Sequence, residues 1–227
     1  MIIKRGFTLA EVLITLAVIG VVAAMSIPAL MGSTNNKELE VAWKKAFTEV
    51  SQLQQKLFAH NMFPMDITNY RTSIAPYFNF TKSCTNSVTE GCWHQAGGWT
   101  NFANKVVDSS GSTVLDQRGG VTPDGMYYVY MASTTGAICD ANPAVTVSNS
   151  NEKYCVRFII DVNGAKGPNK IGRDIFAATM WDNKVLPEGA LGTPYVNAAY
   201  CNSAFNTTQY VEGLGCSTKA LQGLTYN

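Results

Sequence analysis

The chain has 227 residues, a formal net charge of +1 and only 15% charged residues. That length holds one well-cored domain with an appendage, or at most two small domains. A near-neutral balance argues against a general polyanion-binding face, so nucleic acid is not indicated as a partner.

The first six residues are short and basic, ending Lys4-Arg5-Gly6. Residues 7–30 form an apolar run in which Glu11 is the only ionisable side chain. As a helix the run spans roughly 36 Å, enough to cross a hydrocarbon core of about 30 Å. Lys4 and Arg5 put its N-terminal side in the cytoplasm by the positive-inside rule, and the remainder of the chain outside. Two plainer readings compete: a simple signal anchor, and a secretory signal peptide cut near Ala24, which would release a soluble protein. Glu11 favours neither. A carboxylate one turn into an apolar helix costs about 2 kcal/mol or more in lipid unless it has a partner. A cut between Gly6 and Phe7 would supply one, because the new α-amino group is positive and close by. In a bundle of identical helices, Glu11 of one subunit could neutralise the N-terminus of another and set axial register.

The run Lys4-Arg5-Gly6-Phe7-Thr8-Leu9-Ala10-Glu11 resembles the processing site of type IV pilins and of the pseudopilins of type II secretion. The resemblance implies cleavage after Gly6 by a prepilin peptidase, N-methylation of Phe7, and a role for Glu11 in assembly. It also implies a single-pass protein of the bacterial inner membrane that joins a homo- or hetero-oligomeric filament through a membrane assembly platform. Pro28 stands where many members place a helix-bending proline. The implied fold is α+β: a long N-terminal helix, half transmembrane and half amphipathic, packed on a small antiparallel sheet with disulfide-pinned loops. The domain plan expected is a leader at 1–6, an assembly helix at 7–31, an amphipathic spine at 32–60 and a β-rich extracytoplasmic domain at 61–227.

Past Gly32, Leu39, Trp43, Ala46, Val50, Leu53 and Leu57 recur at spacings of four and three, one apolar stripe on a helix. The stripe is expected to pack on a sheet of the same chain. The join at Pro28, Gly32 and Ser33-Thr34-Asn35-Asn36 predicts a bend or a melted stretch, with Asn35 and Glu38 placed to cap a fresh helix.

Residues 61–120 are rich in turn signals, and their aromatics Tyr70, Tyr77, Phe78, Trp93 and Trp99 are expected to fill core more than to form a binding face. Segments 125–132, 154–162 and 175–181 carry aromatic and β-branched residues and predict strands of an antiparallel meander. Short strands near Val106 and residues 113–115 could add an edge hairpin. Between the second and third strands, Asp161, Asn163 and Asp174 present the oxygen donors calcium favours. The spacing is not that of an EF-hand, and Lys166 and Arg173 oppose the two carboxylates. A turn using Asn163-Gly164 is the favoured expectation, with calcium as the alternative; major pseudopilins, which the chain resembles, bind calcium in a loop of this region.

Six cysteines, Cys84, Cys92, Cys139, Cys155, Cys201 and Cys216, follow the helical region with no C-x-x-C pair. An even count behind an export-like N-terminus reads as disulfides, and about 15 pairings are open to six cysteines. Three sequence-local pairs in chain order are expected. No G-x-S-x-G, H-E-x-x-H, phosphate loop or dinucleotide fingerprint is present, so no enzymatic role is expected. The exposed loops leave open a minor-subunit role as adhesin or as a module that binds a secreted substrate or DNA.

Overall fold

The computed structural model describes residues 7–63, 74–95, 97–107, 118–132, 154–196, 201–202, 211 and 213–223, with backbone alone for 27–35. The chain divides into two units, Met1–Glu38 and Leu39–Asn227.

Helix α1 runs Leu9–Ala59 without interruption. The melted stretch and the fresh cap expected around Pro28 and Asn35 are therefore not found. A single proline removes one amide donor from the ladder, and the leucine- and alanine-rich turns before it, with the lysine- and glutamate-rich turns after it, carry strong helix propensity.

Among the described residues of the second unit six strands follow in chain order: β1 Lys82–Cys84, β2 Arg118–Val121, β3 Tyr127–Ala132, β4 Val156–Asp161, β5 Ile175–Met180 and β6 Val185–Pro187. All neighbours are antiparallel and the sheet order is β1-β2-β3-β4-β5-β6, a meander of six strands where three or four were expected. A short helix α2, Cys216–Leu221, closes the described chain. The hairpin expected near Val106 reduces to an isolated bridge between Thr100 and Val106, and residues 113–115 lie outside the described residues.

Alternation along the strands divides the domain into two layers. Tyr128, Tyr130, Phe158, Ile160, Phe176, Ala178 and Met180 meet the helix stripe of Trp43, Ala46, Val50, Leu53 and Leu57 in one core. Leu39 packs on its edge half-buried. Trp43 is wholly buried, stacks on Phe176 at 5.1 Å and donates its indole N–H to the Ser217 carbonyl at 2.9 Å. The intervening residues Val129, Met131, Ile159, Ile175 and Ala177 face the opposite way, into a second core with Trp93, Trp99 and Leu214. Strands β4 and β5 are consequently buried at every position, as expected for strands covered on both faces. The aromatics Trp93 and Trp99 are core residues, Tyr77 and Phe78 are half-buried beside the helix, and Tyr70 lies outside the described residues.

Candidate functional site

The first part of α1 leaves its side chains uncovered from Leu9 to Ser26. The window Leu9–Ser26 has mean hydropathy 2.3, and none of it is buried. It is the one helix among the described residues long and apolar enough to cross a membrane. Moving a Val, Leu, Ile or Phe side chain out of water is worth about 1.5–3 kcal/mol, so this helix demands lipid or other helices. Gly6 lies outside the described residues; Phe7, next to it, is 89% exposed.

Glu11 has a local partner that the spacing Thr8-x-x-Glu11 encodes. Thr8 donates both its backbone N–H and its hydroxyl to Glu11 Oε2, each at 2.8 Å, and the Glu11 N–H donates to Thr8 Oγ1 at 3.2 Å. This is a reciprocal capping box, which satisfies donors that a helix start otherwise leaves open. The second carboxylate oxygen, Oε1, has no hydrogen bond within the described chain. Pro28 lies inside the continuous helix.

The disulfides follow chain order where they are described. Cys84 bonds Cys92 and Cys201 bonds Cys216. Cys155 is also disulfide-bonded, while Cys139 lies outside the described residues.

The polar centre of the globular domain is the β4–β5 connection. Asp161 ends β4 on the face turned away from the helix, paired across the sheet with Tyr127 and Ile175. Its Oδ1 accepts the N–H groups of Asn163 at 3.0 Å and Gly164 at 2.8 Å, the side-chain turn typical of aspartate. Gly164 has φ +60°, and a Cβ there would strike the Gly125 carbonyl, so the expected Asn163-Gly164 turn is present and requires its glycine. Asp161 Oδ2 bonds His94 Nε2 at 2.7 Å. Asp174 uses Oδ2 and Oδ1 to accept the N–H groups of Asn169 at 2.8 Å and Lys170 at 2.6 Å. Burial pushes the Asp161 carboxyl up to about 6, against the pull of the His94 bond and with a further push from the Asp174 charge. Burial also raises Asp174, against the pull of its amide donors.

Calcium takes six to eight oxygens, typically with several carboxylates, and the residues here do not fit it. Every oxygen of the two aspartates already accepts an N–H or faces an imidazole nitrogen. Asn163 Oδ1 and Asn169 Oδ1 are buried without a partner, but they are two neutral donors. No group of three or more His, Cys, Asp or Glu among the described residues could hold a metal. Sequence reasoning placed Asp161, Asn163 and Asp174 in one loop; it missed His94, which is 67 residues from Asp161 and carries no local signal.

A second polar cluster on the same face was also missed. Arg157 of β4 donates from Nε to Glu188 Oε1 at 3.0 Å and lies over the rings of Tyr154 and Tyr195, each at 4.7 Å. Thr179 donates its hydroxyl to the same Glu188 oxygen. The cluster ties the segment after β6 to the sheet.

Residues 1–27 match the family model described as the prokaryotic N-terminal methylation motif. The chain is 34% identical over 70 residues to the type II secretion system core protein G of Dickeya chrysanthemi, covering 31% of this chain and 41% of that protein. It is 36% identical over 70 residues to the protein of the same name from Escherichia coli (strain K12), covering 31% of this chain and 43% of that one. The match thus spans about two-fifths of the length of these relatives. No solved structure matches the chain. In its N-terminal region the chain is thus similar to pseudopilin-type subunits, and its α+β architecture is the one that this resemblance implies.

Proposed function

We propose that this protein is a structural subunit of a type IV pilus or of a type II secretion pseudopilus, polymerised through α1. The observation that carries the reading is the juxtaposition of the methylation motif with the apolar stretch Leu9–Ser26 of α1, none of which is buried. Prepilin peptidase cuts between Gly6 and Phe7, and the exposed amine of Phe7 is methylated. Losing Lys4 and Arg5 takes the formal charge from +1 to −1. Before assembly the protein crosses the bacterial inner membrane once, its domain outside. Extraction by the assembly platform moves the helix from lipid into a bundle of like helices, in which Glu11 Oε1 meets the α-amino group of a neighbouring Phe7. The capping box supports this role because it fixes the carboxylate at the helix start with one oxygen still open.

Mass spectrometry of the mature N-terminus tests the reading. N-methylated Phe7 is the expected result. A chain beginning near Met25 would instead establish a secreted soluble protein and overturn it.

A further inference from the structure

We propose that His94 is a positioning residue that closes the 161–174 loop in place of a metal ion, so that this domain folds without calcium. The inference concerns the globular domain alone and stands whether or not the chain polymerises.

The argument starts from the two carboxylates. Asp161 and Asp174 are both fully buried, and the Asp174 charge lies close enough to raise the Asp161 carboxyl. Two buried acids in one loop need compensation, and three sources are available: a cation, hydrogen-bond donors, or a proton. The donors are present. Four backbone amides, of Asn163, Gly164, Asn169 and Lys170, take three of the four carboxylate oxygens. The fourth, Asp161 Oδ2, turns to a group from outside the 161–174 loop. That group is the imidazole of His94, whose side chain is 7% exposed.

The imidazole is delivered by a built support. The Cys84–Cys92 disulfide ends two residues before it, which limits the freedom lost when the ring is fixed. Tyr127, directly across the sheet from Asp161, packs against the His94 ring at 5.5 Å, and Trp93 at 5.3 Å. The two loops are further joined by backbone. Thr100 N–H donates to the Asn169 carbonyl at 2.9 Å and Ile171 N–H to the Thr100 carbonyl at 2.9 Å. Asn169 Nδ2 donates to the Gly98 carbonyl at 3.1 Å. A chain segment distant in sequence therefore supplies both the covering backbone and the side chain for the last oxygen.

The test uses the full chain in detergent, read by thermal unfolding and by trypsin, with cuts mapped at Lys166, Lys170 and Arg173. In wild type we expect the same Tm and the same resistance at these bonds in EDTA and in millimolar calcium. His94→Ala strips the donor from a buried carboxylate, and in EDTA should lower Tm by roughly 3–9 °C and open those bonds first. His94→Gln, which can still donate, should recover part of both. A metal site filled at about a hundred times its Kd would raise the wild-type Tm by roughly 5–10 °C. That rise, abolished by Asp161→Asn, would overturn the proposal, as would His94→Ala behaving like wild type in EDTA.

Discussion

Thr8 and Glu11 cap each other: the same glutamate oxygen accepts the amide and the hydroxyl of Thr8, each at 2.8 Å. The charge that looks costly in an apolar helix therefore has a structural task before any neighbour arrives. One of its oxygens is held by Thr8, and the other has no hydrogen bond among the described residues, as the proposed contact with a second subunit requires. Removing the side chain costs the cap, worth about 1 kcal/mol, and also the proposed contact between subunits. Glu11→Ala should be processed as wild type but yield at least roughly tenfold fewer filaments, the change that about 1.4 kcal/mol makes in an equilibrium. Thr8→Val, which loses the hydroxyl and keeps the backbone donor, should fall between the two. Immunoblots of sheared filaments, with N-terminal mass spectra as the processing control, measure this; normal filament yield from Glu11→Ala would refute the pairing.

Trp43 should dominate the stability of the helix–sheet core. It is wholly buried, stacks on Phe176, and its N–H is used by Ser217. Trp43→Ala is expected to destabilise by about 3–5 kcal/mol. One residue away, Lys44 makes an exposed pair with Glu40, and Lys44→Ala should change stability by less than about 0.5 kcal/mol. Denaturant unfolding of the two variants separates buried from surface contributions on the same helix turn.

Arg157 and Glu188 form a buried ion pair at 3.0 Å. Removing one partner leaves the other charge uncompensated, so Arg157→Met should cost about 3–5 kcal/mol. Arg157→Met combined with Glu188→Gln should recover much of that loss, because no isolated charge then remains. A double-mutant cycle by denaturant unfolding gives the coupling; additive losses would show that packing, not charge, sets the cost.

The Cys201–Cys216 bond joins residues 15 apart and ties the stretch before α2 to the domain. Chain-entropy reasoning gives about 3 kcal/mol for such a loop. The double variant Cys201→Ser/Cys216→Ser should lose approximately that much in urea unfolding, while the N-terminal helix retains its processing. A loss below about 1 kcal/mol would mean that the packing of Leu214 holds the segment without the crosslink.

Much of this architecture was legible because it depends on local chemistry. The spacing of Leu39, Trp43, Ala46, Val50, Leu53 and Leu57 specifies one helix face, and all but the first are fully buried against the sheet. Strands β3, β4 and β5 are carried by aromatic and β-branched runs. Strand β2 was not readable, since Arg118-Gly119-Gly120-Val121 has little strand propensity. Its glycines are there for the packing: a Cβ on Gly120 would run into the Phe80 ring, and one on Gly119 into the Tyr128 carbonyl. Strand β6 is three residues ending in proline, a composition tolerated because it lies at the sheet edge.

The sequence by itself determined the membrane-length helix, the methylation motif, the apolar stripe and the local disulfides, because each is written in residues that lie near one another along the chain. The Thr8–Glu11 box belongs to that class, although its spacing was passed over. Tertiary structure alone decided how the acids of the 161–174 loop are satisfied. His94 and Asp161 are 67 residues apart, and only the alternation of β4, with odd residues turned from the helix, brings the carboxylate to the face that the His94 loop covers. A buried charge must find its partner wherever the fold delivers one.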